Sequence, residues 1–109
     1  MRYEIVFAPT AEEDLLALRA VDRTKVLAAI EVHLRYEPTK VSKSRIKRLE
    51  GITSPQYRLR IDHLRAFYDV LYEMGEGIVE ILAIREKSET IEWLRGKQDD
   101  PGTTEPGEG

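Results

Sequence analysis

The stretch "QYRLRIDHLRAF", residues 56–67, places three arginines in a pattern that otherwise predicts a β-hairpin. If the strands turn at positions 62 and 63, Arg60 pairs with Arg65 and Arg58 with Phe67, so all three arginines share one face with Phe67. The apolar residues that alternate with them then share the core face. Arginines placed directly opposite each other repel, which destabilises a sheet unless an anion bridges them. The spacing therefore predicts a face that binds phosphate, whose oxygens suit arginine's planar fork.

These arginines lie inside a longer basic segment. Residues 40–65 contain eight lysines and arginines against two acidic residues. Its upstream members, predicted to bind flanking nucleotides or ribosomal RNA, are Lys43, Arg45, Lys47 and Arg48. Phe67 is predicted to stack on a base. The alternative is a solvated sheet face whose arginines pair with Asp62, Asp69 or nearby glutamates.

The acidic excess lies at the other end of the chain. Residues 96–109 hold one lysine against four acidic residues and no aliphatic or aromatic side chain, and the whole chain has a net charge of −3. Because such a segment cannot bury apolar surface, we expect one domain over residues 1–95 and a disordered acidic tail over residues 96–109. A tail that folds back on the basic segment as a mimic of nucleic acid is the functional alternative.

The composition also bears on compartment and cofactors. The chain has no cysteine, so it can form neither a disulfide nor a thiolate metal site. Its apolar runs are too short for a membrane span or a signal peptide, which favours a cytoplasmic protein without membrane contact. No zinc-ligand cluster or glycine-rich phosphate loop is present in the sequence, and we expect no metal and no cofactor.

The elements that must position the arginines follow from the hydrophobic pattern. It predicts an α+β fold in the order β-α-α-β-β-β-β-α, with a small antiparallel-rich sheet and an N-terminal helical hairpin packed on it. The predicted strands cover residues 2–7, 44–51, 57–61, 64–72 and 78–85. The first helix, over residues 11–19, is predicted to begin with a capping box of Thr10 and Glu13. Asp22 and Ser88 are the predicted caps of the other two helices, and the second helix ends before Pro38.

From residue 2 to about residue 94, the sequence resembles the RelE/ParE superfamily of toxins from type II toxin-antitoxin systems. The strongest element is "YRLRIDHLRAFYDV", which is similar to the family's Tyr-Arg-Leu-Arg pattern followed by Arg-x-x-Tyr. The segments "FAPTAEEDLLAL", "IKRLEG" and "VEILAIREK" follow the family's order and spacing. The resemblance implies a RelE-like fold and a cognate antitoxin that wraps and neutralises the chain.

The superfamily contains two activities, between which the fold does not choose. RelE-like members cut mRNA in the ribosomal A site through attack of a ribose 2′-hydroxyl on the adjacent phosphate, without a metal. ParE-like members poison DNA gyrase. The resemblance implies, as the leading hypothesis, a ribosome-dependent mRNA endonuclease that inhibits translation. The alternatives are a gyrase poison, or a catalytically weakened toxin that acts with its antitoxin in transcriptional autoregulation.

Site residues carry over from the family by position. Arg65 and Arg85 match the arginines expected to stabilise the charge of the transition state. Arg58 and Arg60 match basic residues expected to orient the scissile phosphate. With Lys87, the catalytic candidates are Arg60, Arg65 and Arg85.

Lys87 is a candidate because the sequence departs from the family's pattern at the proton-transfer step. The family's late catalytic tyrosine falls at or near Ile91, and no Tyr or His follows Arg85. Arginine stays protonated and cannot act as a general base. Lys87 is preferred because its spacing from Arg85 can return its side chain to the arginine face. The alternative bases are Glu86, Asp69 and His63, and Trp93 is a second residue that can stack on a base or lie in the core.

Overall fold

The computed structural model describes residues 1–97. Its elements, in chain order, are β1 (Glu4–Phe7), α1 (Pro9–Ala17), α2 (Ala20–Leu34), β2 (Ile46–Arg48), β3 (Tyr57–Ile61), β4 (Leu64–Glu73), β5 (Glu76–Glu86) and α3 (Lys87–Arg95). The predicted element order is confirmed. Residues 98–109, most of the predicted acidic tail, lie outside the described part. Within residues 1–97, no helix is both long enough and apolar enough to cross a bilayer.

The five strands form one sheet in the order β1-β5-β4-β3-β2. β1 runs parallel to β5, and the other neighbours are antiparallel, which confirms an α+β fold with an antiparallel-rich sheet. The crossover that parallel strands require is supplied by the helical hairpin and the β2–β4 segment that follow β1. This arrangement places β4, the central strand, between β3 and β5.

The hairpin register predicted from the sequence is confirmed. Arg60 lies opposite Arg65, and Arg58 lies opposite Phe67. The turn is short because Asp62 adopts a φ of 52°, a left-handed conformation that aspartate tolerates better than most residues. Alternation along the strands then separates the two faces.

The helical hairpin packs on one face of the sheet, called here the packed face. Val26 and Leu34 of α2 are fully buried against strand residues such as Leu59 and Ile81. Tyr68 is also fully buried, and its hydroxyl donates a hydrogen bond of 2.6 Å to the carbonyl of Pro38, just beyond α2. The end of α2 is thereby tied to the middle of the sheet.

The predicted cap of the first helix is wrong. Helix α1 begins at Pro9, and Ala8 precedes it without a side-chain cap. Proline favours the first helical position because its fixed φ suits the helix and its missing N–H is not needed there. The Thr10 hydroxyl instead donates to the carbonyl of Leu82 at 3.0 Å, so it ties α1 to β5.

The predicted caps of the other helices are also wrong. Helix α2 begins two residues before Asp22, which lies buried in its first turn. Helix α3 is capped by Glu86, whose side chain forms a capping box with Glu89, and Ser88 lies inside its first turn. Arg19 precedes α2 without a side-chain cap, so neither predicted residue lies at the cap position.

Candidate functional site

Three arginines lie side by side across the sheet on the face opposite the helical hairpin, called here the arginine face, and a fourth lies at its edge. Arg65 on β4 pairs with Arg60 on β3 and with Arg85 on β5. The N–H of Arg60 donates to the carbonyl of Arg45, which immediately precedes β2. Adjacent strands lie about 4.8 Å apart. Arg60, Arg65 and Arg85 therefore form one cationic line, the arginine row, and Arg45 lies at its β2 edge, where its side chain lines a pocket with Val32 and His33 of α2.

A second line of residues runs beside the arginine row. Lys47 pairs with Arg58, Arg58 with Phe67, and Phe67 with Ala83. Its first two members add cations to the arginine face, and its last two are apolar. The apolar end is covered by α3, since the Trp93 ring lies 4.8 Å from that of Phe67.

Phe67 is fully buried, so the prediction that it stacks on a base is wrong for this structure. The cause is the packing of α3, whose Trp93 occupies the surface that a base would use. Trp93 itself is only half-buried, so the aromatic surface available on this side of the molecule belongs to it.

Arg65 is buried, with 6 % of its surface exposed. Its Nη1 donates hydrogen bonds of 2.9 Å to the carbonyls of Asp62 and Leu64, which hold the guanidinium in place. Burial, and then the charge of Arg60, lowers the pKa of the Arg65 guanidinium. Its charge is thus fixed in position and poorly compensated.

Arg58, like Arg65, is partly withdrawn from solvent without a neutralising partner. Its Nε is buried and has no hydrogen-bond partner among residues 1–97. Burial, followed by the charges of Arg65 and Arg60, lowers the pKa of the Arg58 guanidinium. A buried donor without an acceptor is costly, and an anion on this face would supply the acceptor.

The carboxylates that could neutralise these arginines are engaged elsewhere. In the described part of the chain, no acidic side chain forms an ion pair with Arg58, Arg60 or Arg65. Asp62 pairs with Lys25 of α2 at 3.2 Å. Asp69 accepts hydrogen bonds from Ser54 and the backbone of Gln56. The alternative of a face neutralised by Asp62 or Asp69 is therefore wrong, and the arrangement favours an external anion.

Arg85 differs from the other members of the arginine row. Its Nη1 lies 2.6 Å from Oδ2 of Asp14, and the same oxygen accepts a hydrogen bond from the N–H of Ile84. Its guanidinium also lies 5.7 Å from the centre of the Trp93 ring. Sequence reasoning missed Asp14, because nothing near Asp14 in the sequence signals a partner at the end of β5.

The candidate general bases differ in their surroundings. The Glu86 carboxylate caps α3, and the Asp69 carboxylate holds the loop before β3. His63 Nε2 lies 3.8 Å from the Asp22 carboxylate. Lys87 is exposed, its backbone N–H donates to the His63 carbonyl, and its side chain has no partner within residues 1–97. Of these four candidates, Lys87 is the one whose side chain makes no hydrogen bond or ion pair within the described residues.

The remaining basic candidates separate by face. Lys43 is exposed in the segment before β2, and Lys47 is exposed on the arginine face. Arg48 pairs with Tyr57, places its guanidinium 5.2 Å from the ring centre, and donates to the carbonyl of Gln56. The prediction that groups Arg48 with the other cations is wrong, because strand alternation turns it to the packed face. No cluster of three or more His, Cys, Asp or Glu able to hold a metal occurs in residues 1–97.

Comparison with solved structures identifies the fold. In the archaeal RelE-RelB complex from Pyrococcus horikoshii OT3, a chain 23 % identical aligns with a TM-score of 0.61, over 80 % of this chain and 97 % of that one. In the toxin-antitoxin complex RelBE2 from Mycobacterium tuberculosis, a chain 23 % identical aligns with a TM-score of 0.55, over 79 % of this chain and 99 % of that one. The YoeB/ParE toxin from Agrobacterium tumefaciens is 18 % identical and aligns with a TM-score of 0.60, over 76 % of this chain and 97 % of that one.

The chain therefore has the fold of the RelE/ParE toxins, as the sequence resemblance implies. No model of a known protein family matches the sequence. No curated protein matches it either.

Proposed function

We propose that the chain is the toxin of a type II toxin-antitoxin pair and that it cleaves mRNA on the ribosome without a metal. The observation that carries the proposal is the arginine row, in which the buried Arg65 lies between Arg60 and Arg85. Neither Arg60 nor Arg65 has an acidic partner within residues 1–97. Fixed cations of this kind match the charge of a phosphodiester that gains negative charge during cleavage.

The proposed reaction starts from the RNA itself. The ribose 2′-oxygen attacks the adjacent phosphorus, the O2′–P bond forms, and the P–O5′ bond breaks. Arg65 and Arg85 stabilise the added charge on the phosphate oxygens, and Arg58 and Arg60 orient the phosphate. Lys87 accepts the proton of the 2′-hydroxyl, and the leaving O5′ takes a proton from the solvent. Lys43, Arg45 and Lys47 contact flanking phosphates.

The proposed partner is a cognate antitoxin. Two of the similar structures are toxin-antitoxin complexes by their own description. In this chain the arginine face offers an uncompensated positive surface, and α3 contributes no fully buried residue to the fold. An antitoxin that covers the arginine face with acidic groups, or displaces α3, would block the site.

The rival function is that of a gyrase poison. The place of the family's catalytic tyrosine falls at or near Ile91, which is 72 % exposed, and no tyrosine follows Arg85 in this chain. A chain that lacks that group is compatible with an inhibitor that only binds. The arginine face would then be a protein-binding surface. A weakened toxin that acts only in transcriptional autoregulation is the remaining alternative.

The test is to induce the chain without its antitoxin in a bacterial host and to measure pulse incorporation of labelled methionine and thymidine. We expect methionine incorporation to fall first, with new RNA ends inside translated mRNA. Arg65→Ala should lower cleavage by roughly 100-fold or more, the usual effect of removing a transition-state donor. Arg19→Ala, an exposed arginine on the connection between α1 and α2, is the matched control. An early fall of thymidine incorporation would instead support the gyrase function, and full cleavage by Arg65→Ala would reject the site.

A further inference from the structure

A cavity of about 440 Å³ lies beside the arginine row, between the start of α1, the loop before β3 and α3. Its lining includes Thr10, Ser54, Leu82, Arg85, Trp93 and Lys97. The volume falls in the range of sites that hold small molecules. Of its lining residues, only Arg85 takes part in the phosphate chemistry described above.

The cavity combines an aromatic ring with two cations. The Arg85 guanidinium lies 5.7 Å and the Lys97 ammonium 5.3 Å from the centre of the Trp93 ring. Phe67 supports the same ring from within the fold. A flat aromatic surface beside two positive charges matches a nucleobase that carries a phosphate, since bases stack on aromatic rings and phosphates bind cations.

The cations keep donors available. Arg85 uses Nη1 for both Asp14 and the carbonyl of Ile84, so its Nε and Nη2 hydrogens have no acceptor within residues 1–97. The Lys97 ammonium forms no ion pair in the same part of the chain. These free donors can bind the oxygens of a phosphate.

The hydroxyl groups of the cavity offer the complementary chemistry. Thr10 donates its hydroxyl hydrogen to the carbonyl of Leu82, and Ser54 donates its own to Asp69. With both hydrogens committed, the two oxygens can act only as acceptors. They suit the hydroxyls of a ribose or the amino group of a base.

Arg85 connects the cavity to the arginine row, because it pairs with Arg65 across one strand spacing. An RNA strand whose scissile phosphate sits on Arg65 would therefore bring a neighbouring nucleotide to the cavity. We infer that the cavity is a nucleotide subsite that binds the base and phosphate of the residue flanking the scissile phosphate. This inference rests on the proposed function and adds to it a second contact with the same RNA.

Trp93 makes the inference testable in the full chain, because it is the only tryptophan in the sequence and its ring lines the cavity. The chain is titrated with 5′-AMP, and Trp93 is excited at the red edge of its absorption, where adenine does not absorb. We expect saturable quenching at millimolar AMP, weaker binding of adenosine, and no quenching by inorganic phosphate. Lys97→Gln should weaken AMP binding by roughly tenfold through loss of a charge-assisted hydrogen bond.

Lys40→Gln is the matched control, since Lys40 is an exposed lysine that pairs with Glu37 away from the cavity. Absence of saturable quenching, or equal AMP affinity in Lys97→Gln and Lys40→Gln, would overturn the subsite. RNA-end mapping separates this failure from that of the proposed function. A chain that cleaves mRNA without AMP-dependent quenching loses only the subsite. A chain that binds AMP but leaves RNA intact loses the endonuclease, and with it the flanking-nucleotide role.

Discussion

The packed face and the arginine face are built from alternate residues of the same two strands, β3 and β4, and their environments are opposite. On the packed face, Leu59 and Tyr68 are fully buried beneath the helices. On the arginine face, Arg58 and Arg65 are drawn out of water without an acidic partner in the described chain. Apolar burial on the packed face stabilises the folded state, whereas the partly buried, unpaired arginines of the arginine face destabilise it.

Arg35 shows how an arginine with a structural role differs from those of the arginine face. It makes two hydrogen bonds of 2.7 Å to the Glu31 carboxylate and donates a third to the carbonyl of Tyr3. The hydrogen bonds to Glu31 raise the pKa of the Arg35 guanidinium, whereas burial lowers that of Arg58. The same side chain is satisfied at one place and left without a counter-charge at the other. The difference supports the proposal that the arginine face binds an anionic ligand.

The largest expected effect on stability comes from the packed face. Leu59→Ala should lower the free energy of unfolding by about 3 kcal/mol, because it leaves a cavity beneath the helices. Arg60→Ala, one position along the same strand, should change it by less than about 0.5 kcal/mol, because Arg60 is exposed. Urea unfolding of the full-length variants measures both values. Equal losses in the two variants would remove the proposed division between the faces.

The next largest effect on stability is expected at the ion pair between Arg85 and Asp14. Asp14→Asn keeps an acceptor for the Ile84 N–H but removes the charge opposite Arg85, and should lower the free energy of unfolding by about 1–2 kcal/mol. A double-mutant cycle with Arg85→Gln isolates the pair from other effects of each change. If the two changes are additive, Asp14 does not hold Arg85.

A smaller effect of opposite sign is expected at Arg58. Arg58→Met keeps an unbranched apolar stem but removes the buried charge and its unpartnered Nε, and should leave stability unchanged or raise it by about 1 kcal/mol. Thermal unfolding measures the difference in stability between the variant and the wild type. Added inorganic phosphate should reduce this difference, because it should stabilise the wild type. A clear loss of stability in Arg58→Met would mean that the guanidinium has a structural role in the folded chain.

The smallest effect is a pH dependence at the boundary between the faces, where His33 of α2 lies near Arg45. Burial, and then the charge of Arg45, lowers the pKa of His33 below its ordinary value of 6.5. The unfolded chain therefore binds this proton more readily, so the stability is complete above pH 6.5 and falls as the pH drops through that value. Between neutral and mildly acidic pH, the free energy of unfolding of His33→Gln should fall less than that of the wild type, as measured by urea unfolding at each pH. An unchanged pH profile would exclude His33 as the cause.

The register of the hairpin could be predicted from sequence because it depends on local rules. Alternation with a period of two and a short turn at Asp62 are enough to place Arg60 opposite Arg65. The same alternation could have identified Arg48 as a residue of the packed face, since it lies two positions after the buried Ile46. That signal was present, and the error came from treating the basic segment as one group.

The sequence by itself determined the order of the elements, the pairing of β3 with β4, and the cations that share the arginine face. Tertiary structure alone decided the surroundings of those cations. Asp14 reaches Arg85 only because α1 packs beside the end of β5, and Phe67 is buried only because α3 places Trp93 over it. Strand periodicity acts between neighbouring residues, so it is readable in the sequence. Burial and ion pairing depend on which distant segments meet, and no local pattern in this chain records those meetings.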